Sequence, residues 1–512
     1  MFIKIGMLVV FFAVTIAIGL YCRRHSTDVN GFVLGGRSVG PWLTAFAYGT
    51  SYFSAVVFVG YAGQFGWKYG IAATWAGIGN ALLGSLMAWA FLGRRTRVMT
   101  QHLDSATMPQ FFESRFNSKA LKLAASAIIF IFLIPYTASL YNGLSRLFGM
   151  AFDIDYSVCV IGMAVLTGIY VIAGGYMATA INDFIQGIIM IAGIVAVIAA
   201  VLKGQGGFME ALNKLGQVSD PAVSETPGVF ASFFGPDPVG LLGVVILTSL
   251  GTWGLPQMVQ KFYAIKSEQA INKGMIISTI FAAIVAGGCY FLGGFGRLFQ
   301  VDVAKEGFDA VIPTMLSGLP TFLIAVVVVL VRAASMSTLS SLVLTSSSTL
   351  TLDFIKGNLV KKMDEKKQLL VMRALIVVFI LISVVLAIVQ YKSSVTFIAQ
   401  LMGVSWGALA GAFLAPFLFG LYWKKATRAS VWCSFAFSTV VMLANIFAKP
   451  LFPAILQSPI NAGAFCMIAG LIIVPVVSLL TPKMDKAYVD QVFSCYDRQV
   501  TVNVTDSIGD NK

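Results

Sequence analysis

Residues 248–256 read TSLGTWGLP, in the middle of an apolar run near residues 239–262. Pro256 has no backbone N–H and its ring clashes with the preceding helical turn, so the stretch predicts a broken helix. Residues 49–54, GTSYFS, interrupt an earlier apolar run with a glycine and hydroxyl side chains. Irregular backbone at membrane depth is tolerated only where it is buried in protein or lines a cavity. The two breaks therefore predict an interior binding site between two membrane helices.

The composition indicates a protein that crosses the bilayer many times. Of its 512 residues, 58% are hydrophobic and 11% are charged, and the charged share is about half that of a soluble domain. The mean hydropathy is +0.86, and apolar runs of the roughly 20 residues that span a bilayer recur along the chain. We predict an all-α integral membrane protein with thirteen spans, near residues 2–22, 39–67, 70–93, 121–149, 155–174, 177–202, 239–262, 272–296, 311–350, 369–391, 396–421, 428–448 and 459–480.

These spans are expected to form one polytopic domain over residues 1–480, followed by a polar tail at residues 481–512. Basic residues follow the first run instead of preceding it, so we interpret that run as a retained helix and not as a cleaved signal peptide. A short surface helix is expected at residues 208–215, FMEALNKL. The six cysteines are scattered without metal-binding spacing, which favours a role as small apolar packing residues.

The basic residues predict the orientation of the chain. With the N-terminus outside, 25 of the 35 Lys and Arg residues fall in inner loops and 8 in outer loops, as the positive-inside rule requires. Lys261, Lys266 and Lys273 are assigned to the inner loop after span seven. The net charge of +13 is therefore attributed to the inner membrane face and not to nucleic-acid binding. We expect a multi-pass protein of the cell (inner) membrane with a cytoplasmic C-terminus.

The two breaks also predict an internal repeat. Spans two and seven are five helices apart and cross the membrane in opposite directions, which is the layout of an inverted repeat of spans 2–6 and 7–11. The repeats cover about residues 39–202 and 239–421. Helices broken at matching positions are typical of transporters that bind substrate between them, although ordinary kinks packed with small residues are the alternative. We expect the substrate to contact Ser51, Tyr52, Ser54, Thr248, Thr252, Trp253 and Pro256.

Residues 335–341, SMSTLSS, place hydroxyls inside another apolar span. At 100° per residue Ser337, Ser341 and Thr345 fall within about 80° of one another, and Thr338 lies at the edge of that face. A lone serine in a membrane helix usually bonds to the carbonyl one turn back. Adjacent hydroxyls near carbonyls freed by a broken helix instead favour a small monovalent cation, since divalent ions usually require carboxylates. Transition metals would require His, Cys or acidic ligands, which this stretch lacks.

Asp183 and Arg332 are ionisable residues within predicted spans. Asp183 follows the start of span six, and an intramembrane carboxylate is a functional candidate by default. It is expected to attract a cation on the inner exit path or to act as a helix N-terminal carboxylate. Arg332 lies on roughly the opposite face from the hydroxyls. Arg332 has three candidate interaction partners, which are an acidic residue, a lipid headgroup and a substrate carboxylate. We favour a structural pairing.

Four motifs together resemble the sodium/solute symporter family over essentially residues 1–480. They are AASMSTLSSLVLTSSSTLTLDF at 333–354, GGYMATAINDFIQG at 174–187, LGGRSVGPW at 34–42 and GLPQMVQKFYAIKS at 254–267. The sodium/proline and sodium/pantothenate branches look most similar. The Asn182-Asp183 pair and the GLP at 254–256 resemble the pantothenate branch more closely.

The resemblance implies a LeuT-type fold, with thirteen helices and a five-plus-five inverted repeat. It also implies a sodium site formed by the carbonyls of Thr50, Phe53 and Ala334 and the hydroxyls of Ser337 and Thr338. Asp183 would be the family's carboxylate on the inner sodium path. Na⁺ is the implied coupling ion, and no other cofactor is expected.

The chain departs from the family pattern at three places. Proline-type members carry an acidic residue where this chain has Tyr52, and an aromatic pair where it has Thr248 and Thr252. Sugar-type members carry an acidic residue in the third span, where WAGIGN at 75–80 has none. Proline and hexose are both in doubt as substrates for this reason. Tyr52, Phe53 and Trp253 are expected to shape a different pocket.

We therefore expect a symporter that imports a small organic solute with sodium by alternating access. The solute would be a carboxylate, an amino acid or a vitamin-like compound such as pantothenate or proline. The expected partners are Na⁺, the solute and the lipid bilayer. Proton coupling through Asp183 is the main alternative, and a channel or a membrane sensor is a more distant one. The sequence contains no nucleophile–base set or metal cluster, so no enzymatic activity is expected.

Overall fold

The computed structural model describes residues 2–23, 27–152, 155–356, 358–360, 362–393 and 398–497. The C-terminal part of the predicted tail and the first two positions of the predicted span 396–421 lie outside these residues. Within them the regular structure is helical, and β-pairing is limited to isolated bridges. The prediction of an all-α protein is confirmed.

The helices follow one another with short connections. They are α1 (Phe2–Cys22), α2 (Val29–Leu34), α3 (Pro41–Tyr52), α4 (Ala62–Tyr69), α5 (Thr74–Gly79), α6 (Arg94–His102), α7 (Met108–Phe116), α8 (Lys119–Phe152), α9 (Tyr156–Gly204), α10 (Phe208–Gln217), α11 (Pro238–Gly254), α12 (Pro256–Ala264), α13 (Glu268–Gly293), α14 (Val303–Glu306), α15 (Val311–Ser317), α16 (Thr321–Thr349), α17 (Glu365–Ser393), α18 (Ile398–Tyr422), α19 (Arg428–Phe447), α20 (Pro459–Leu480) and α21 (Lys486–Phe493). Wider π-helical turns fill Val56–Tyr61, Asn80–Met87, Trp89–Gly93 and Leu350–Ile355. The surface helix predicted at 208–215 is confirmed as α10.

Nine helical stretches among the described residues are long and apolar enough to cross a membrane, or ten if the bent pair α11–α12 counts as one span. Two of them are far longer than one crossing needs: Val56–His102 has 47 residues and Tyr156–Gly204 has 49. At 1.5 Å per residue each would reach roughly 70 Å if straight, against about 30 Å of hydrocarbon. Each therefore has the length of two spans. The count of thirteen remains a prediction.

Glycines break both long stretches where the sequence predicts a division between spans. Gly70 has φ 62° and ψ −142°, and Gly175 has φ 55° and ψ −145°. Only glycine adopts this backbone conformation without strain, because it has no Cβ. The two glycines match the predicted limits at 67/70 and 174/177.

Helix α16 lies in the protein interior. It packs against α3, α8 and α9, and every residue from Val327 to Thr349 is buried. The polar side chains of SMSTLSS therefore face other helices and not lipid. This burial explains how a membrane helix tolerates so many hydroxyls, since each hydroxyl of residues 335–341 finds a partner inside the protein.

Two expectations are wrong. The span predicted at 311–350 is two helices, because Gly318 and Pro320 separate α15 from α16. Lys261, assigned from sequence to an inner loop, is only 2% exposed within α12. A basic residue near the end of an apolar run has the same sequence signature whether it emerges from the helix or turns inward.

Candidate functional site

Both predicted helix breaks are confirmed. α3 ends at Tyr52, and Phe53 has the extended dihedrals φ −83° and ψ 115°. α11 ends at Gly254, Leu255 has φ −79° and ψ 123°, and α12 begins at Pro256. The axes of α11 and α12 differ by 45°. Each break interrupts the helical hydrogen-bond ladder, and at the α3 break the carbonyls of Thr50 and Phe53 point towards α16.

The break in α3 brings two carbonyls to two hydroxyls of α16. Ser337 Oγ lies 3.1 Å from the Thr50 carbonyl oxygen and 2.9 Å from that of Ala334. Thr338 Oγ1 lies 3.0 Å from Thr50 O, 3.2 Å from Phe53 O and 3.2 Å from Ala334 O. We call these five oxygens the oxygen cage. All five residues have no solvent exposure.

The cage has more acceptors than its own protons can satisfy. Each hydroxyl has one O–H donor, so Ser337 and Thr338 together donate two hydrogen bonds to three carbonyls. A single cation held among these oxygens would contact every one of them. Neutral hydroxyl and carbonyl oxygens are ligands of hard cations, and a set without carboxylates suits a monovalent ion better than a divalent one.

The remaining serines of SMSTLSS have other partners. Ser335 Oγ donates to Val331 O at 2.9 Å and Ser340 Oγ donates to Ser337 O at 2.9 Å, both within α16. Ser341 Oγ instead lies 3.0 Å from Ser51 Oγ of α3. Thr345, one turn further on, donates to Gln260 Oε1 of α12 at 2.8 Å. The polar face of α16 is thus turned towards both broken helices.

The six predicted substrate residues whose side chains the structure describes are buried, but their hydrogen-bond partners lie on different helices. Ser51 and Ser54 lie at the α3 break, whereas the Tyr52 side chain falls outside the described residues. Thr248 Oγ1 donates to Val244 O within α11 at 2.8 Å, and Pro256 begins α12.

Thr252 and Trp253 face the π-helical segment that follows α5. Thr252 Oγ1 lies 2.9 Å from Gly84 O, and Trp253 Nε1 donates to Leu83 O at 2.9 Å. The structure therefore brings the serines of α3 close to the cage, and gives these two α11 residues partners on another helix.

Sequence reasoning missed an aromatic pair beside Ser54. Tyr136 of α8 and Trp406 of α18 pack edge to face with ring centroids 5.9 Å apart, and Tyr136 neighbours Ser54. Both side chains are fully buried. Their position depends on how α8 and α18 pack against the break, so no local sequence pattern indicates it.

Asp183 lies in the second half of α9, eight residues after the Gly175 break. It is fully buried, and within the described part of the chain its two carboxylate oxygens have no hydrogen-bond partner. Its electrostatic partner is Lys261 of α12. Sequence reasoning found the acid but not its counter-charge.

Arg332 is buried in α16 and packs on α1. Its guanidinium carbon lies 3.2 Å from the centre of the Phe12 ring, a cation–π arrangement. The expected pairing of Arg332 with an acidic residue remains a prediction.

Solved transporter structures share this fold. A Na⁺-coupled sialic acid symporter in a substrate-bound outward-open state matches with a TM-score of 0.72 at 18% identity, over 95% of this chain and 99% of that chain. Mhp1, a nucleobase-cation-symport-1 family transporter, matches with a TM-score of 0.51 at 14% identity, over 90% and 97% of the two chains. A manganese transporter from Eremococcus coleocola gives 0.52 at 13% identity, over 86% and 95%. These likenesses confirm the expected LeuT-type fold.

Curated relatives and a family model agree with the motifs. Sodium/proline symporters of Staphylococcus aureus, from strains JH9 and NCTC 8325 among others, are 31% identical over 500 residues, which cover 94% of this chain and 92% of each relative. The model of the sodium:solute symporter family matches residues 32–435. The chain therefore belongs to the sodium:solute symporter family and is a membrane transporter that couples solute import to sodium.

Proposed function

We propose that this symporter binds its coupling Na⁺ in the oxygen cage and carries a small carboxylate, amino acid or vitamin-like solute between its two broken helices. The proposal depends on one observation. The hydroxyl oxygens of Ser337 and Thr338 lie within 3.2 Å of backbone carbonyl oxygens, which belong to Thr50, Phe53 and Ala334. Two of these residues belong to the α3 break and three to α16. An ion in the cage would therefore join a broken helix to an intact one.

This connection gives sodium a mechanical role. The carbonyls of Thr50 and Phe53 keep their positions only while the α3 break holds its shape. Sodium binding would fix that shape and thereby organise Ser51 and Ser54 for the solute. Rocking of one repeat against the other would then expose both ligands to the inside. Loss of sodium would loosen the break and release the solute.

The substrate class rests on the relatives and on the residues at the break. The relatives named as sodium/proline symporters support a small amino-acid or carboxylate solute. Ser54 and the adjacent Tyr136 supply hydroxyl groups, and Trp406 supplies an apolar wall with one N–H donor. Thr248 and Thr252 stand where proline-type members have aromatic residues, so the pocket would favour a solute other than proline.

The driving force can be bounded by elementary energetics. One Na⁺ crossing about 100 mV supplies ~2.3 kcal/mol, and a tenfold concentration gradient adds roughly 1.4 kcal/mol. Together they would sustain about 500-fold accumulation of a neutral solute. An anionic solute carried with one Na⁺ would lose the voltage contribution and accumulate less.

Uptake into proteoliposomes tests the proposal. We expect solute uptake only with an inward sodium gradient, and we expect a Ser337→Ala/Thr338→Ala double variant to lose this sodium-dependent uptake. Ser348→Ala is a matched control, since its hydroxyl donates to Thr345 O within α16. Full sodium dependence in the double variant would contradict the cage. Sodium-independent uptake that follows a pH gradient and disappears in Asp183→Asn would instead favour proton coupling.

We also propose that the protein lies in the cell membrane with its N-terminus outside and its C-terminus in the cytoplasm, as the distribution of basic residues supports. Right-side-out membrane vesicles test this orientation. A C-terminal tag should resist external protease until the vesicles are permeabilised. Digestion of the tag in intact vesicles would contradict the orientation.

A further inference from the structure

Lys261 carries a charge that the proposed transport cycle does not yet use. It lies on α12, six residues after the Leu255 break, and is 2% exposed. An ammonium group is expensive to bury without compensation. Its environment must therefore supply oxygens or negative charge.

The ammonium is connected to the oxygen cage through two hydroxyls. Lys261 Nζ donates to Ser341 Oγ at 3.1 Å, and Ser341 Oγ lies 3.0 Å from Ser51 Oγ. Ser51 follows Thr50, a cage residue, and Ser341 lies one helical turn after Ser337, another cage residue. Residues one turn apart have Cβ atoms about 5–6 Å apart. The ammonium is therefore within roughly 10 Å of the cage centre.

The opposite charge comes from α9. Asp183 interacts with Lys261 through space, and within the described part of the chain its carboxylate has no hydrogen bond. Lys261 Nζ also lies 5.0 Å from the centre of the Tyr176 ring, and Tyr170 is the other titratable group near the acid. All these side chains are buried. Lys261 of α12 and Asp183 of α9 therefore form a pair between two helices. The hydrogen bond from Lys261 to Ser341 connects this pair to α16.

We propose that Lys261 is the built-in counter-charge of Asp183, and that the net charge of this pair sets the sodium affinity of the oxygen cage. The inference rests on the cage described under the proposed function. The tethered ammonium neutralises the buried Asp183 carboxylate. Asp183 then attracts no second mobile cation, and the cage is left as the exchangeable position. One Na⁺ per transport cycle follows from this arrangement.

The proposal predicts an order of sodium affinities. At a pH where the remaining groups are ionised, the wild-type pair carries no net charge, Lys261→Met leaves a net negative charge, Asp183→Asn leaves a net positive charge, and the double variant is again neutral. A unit charge within roughly 10 Å in a medium of effective dielectric constant about 20 changes a cation affinity on the order of tenfold. Lys261→Met should therefore bind sodium most tightly and Asp183→Asn most weakly. The double variant should return to within about threefold of wild type.

Sodium-dependent thermal stabilisation of the purified full-length protein in detergent measures these affinities without a known substrate. Sodium is titrated against N-methylglucamine at constant ionic strength, and the half-maximal concentration is compared among the four proteins. Lys261→Gln is a second neutral variant if Lys261→Met does not fold. Lys266→Met is the matched control, because Lys266 is exposed just beyond α12, and it should behave like wild type.

The outcomes separate the inference from the function on which it rests. A wild-type protein that sodium does not stabilise contradicts the cage itself. A wild type that responds to sodium, with equal half-maximal concentrations in all pair variants, overturns only the role of Lys261. Shifts of both single variants in the same direction also overturn it, because they indicate structural damage and not charge. Opposite shifts that cancel in the double variant support it.

Discussion

At the scale of single residues, Thr338 makes the most contacts within the oxygen cage. Its Oγ1 lies within 3.2 Å of three carbonyl oxygens from both sides of the cage. Thr338→Val preserves the shape of the side chain but removes that oxygen. We expect it to raise the sodium concentration for half-maximal uptake at least tenfold, which corresponds to about 1.4 kcal/mol.

Thr338→Ser tests the contribution of the hydroxyl separately from that of the methyl group. It retains the hydroxyl, so its sodium dependence should stay within about threefold of wild type despite a small loss of packing. Sodium titrations of uptake, run beside a fluorescence-detected thermal stability assay, distinguish a lost ligand from a damaged fold. Equal sodium requirements in the Val and Ser variants would exclude a ligand role for the hydroxyl.

Residue-level reasoning from sequence succeeded where geometry is local. The 100° step of a helix groups Ser337, Thr338 and Ser341 without any knowledge of neighbours. The carbonyl partners on α3 came only from the family resemblance, because they depend on the packing of helices almost 300 residues apart in sequence. The burial of Lys261 is also set by tertiary packing, and its sequence context is that of an ordinary inner-loop lysine.

At the scale of helices, the backbone break at Gly175 should make that position of α9 intolerant of a side chain. Its φ of 55° and ψ of −145° are accessible without strain only to glycine, and an added Cβ would lie 2.8 Å from Phe32 O. Gly175→Ala should therefore destabilise the protein by on the order of 1–3 kcal/mol. A lower melting temperature in detergent and a lower yield from membranes would both report it.

Gly162 provides the control for that substitution. It lies in the same helix, and a Cβ there meets no atom within 4 Å. Gly162→Ala should leave the melting temperature unchanged or slightly raised, since alanine has the higher helix propensity. If Gly175→Ala and Gly162→Ala have the same melting temperature, the backbone at residue 175 does not require glycine.

Sequence patterns predicted helix breaks better than helix ends. The break at Leu255 follows from Pro256, whose ring excludes a continuous helix, and the α3 break follows from its polarity. The division between α15 and α16 was missed because Gly318 and Pro320 lie within a long apolar stretch. Such residues can kink a membrane helix or end it, depending on whether neighbouring groups bond the freed backbone.

At the scale of the whole molecule, Arg37 ties three segments together on the side of the protein that is predicted to be inner. Its guanidinium donates to the Tyr263 carbonyl at 3.2 Å, the Thr100 carbonyl at 3.4 Å and the Ser105 carbonyl at 2.6 Å. These carbonyls belong to α12, α6 and the loop after α6. A short parallel bridge between Val39 and Ile265 lies beside them. The two broken helices are therefore joined on the side predicted to be inner, and passage of sodium to that side would require their separation.

Arg37→Ala should weaken this closure and favour separation of the inner ends. The Val39 and Lys266 amides bond across the closure, to Ala264 O at 3.2 Å and Val39 O at 2.9 Å, so hydrogen–deuterium exchange reports its opening directly. We expect both amides to exchange at least tenfold faster in the variant, which corresponds to about 1.4 kcal/mol of lost protection. Arg94→Ala is the matched control: Arg94 pairs with Glu268 beside the same segment, but both side chains are largely exposed, and such pairs contribute little. Unchanged exchange in Arg37→Ala would show that the backbone bridge, and not the arginine, holds the inner ends together.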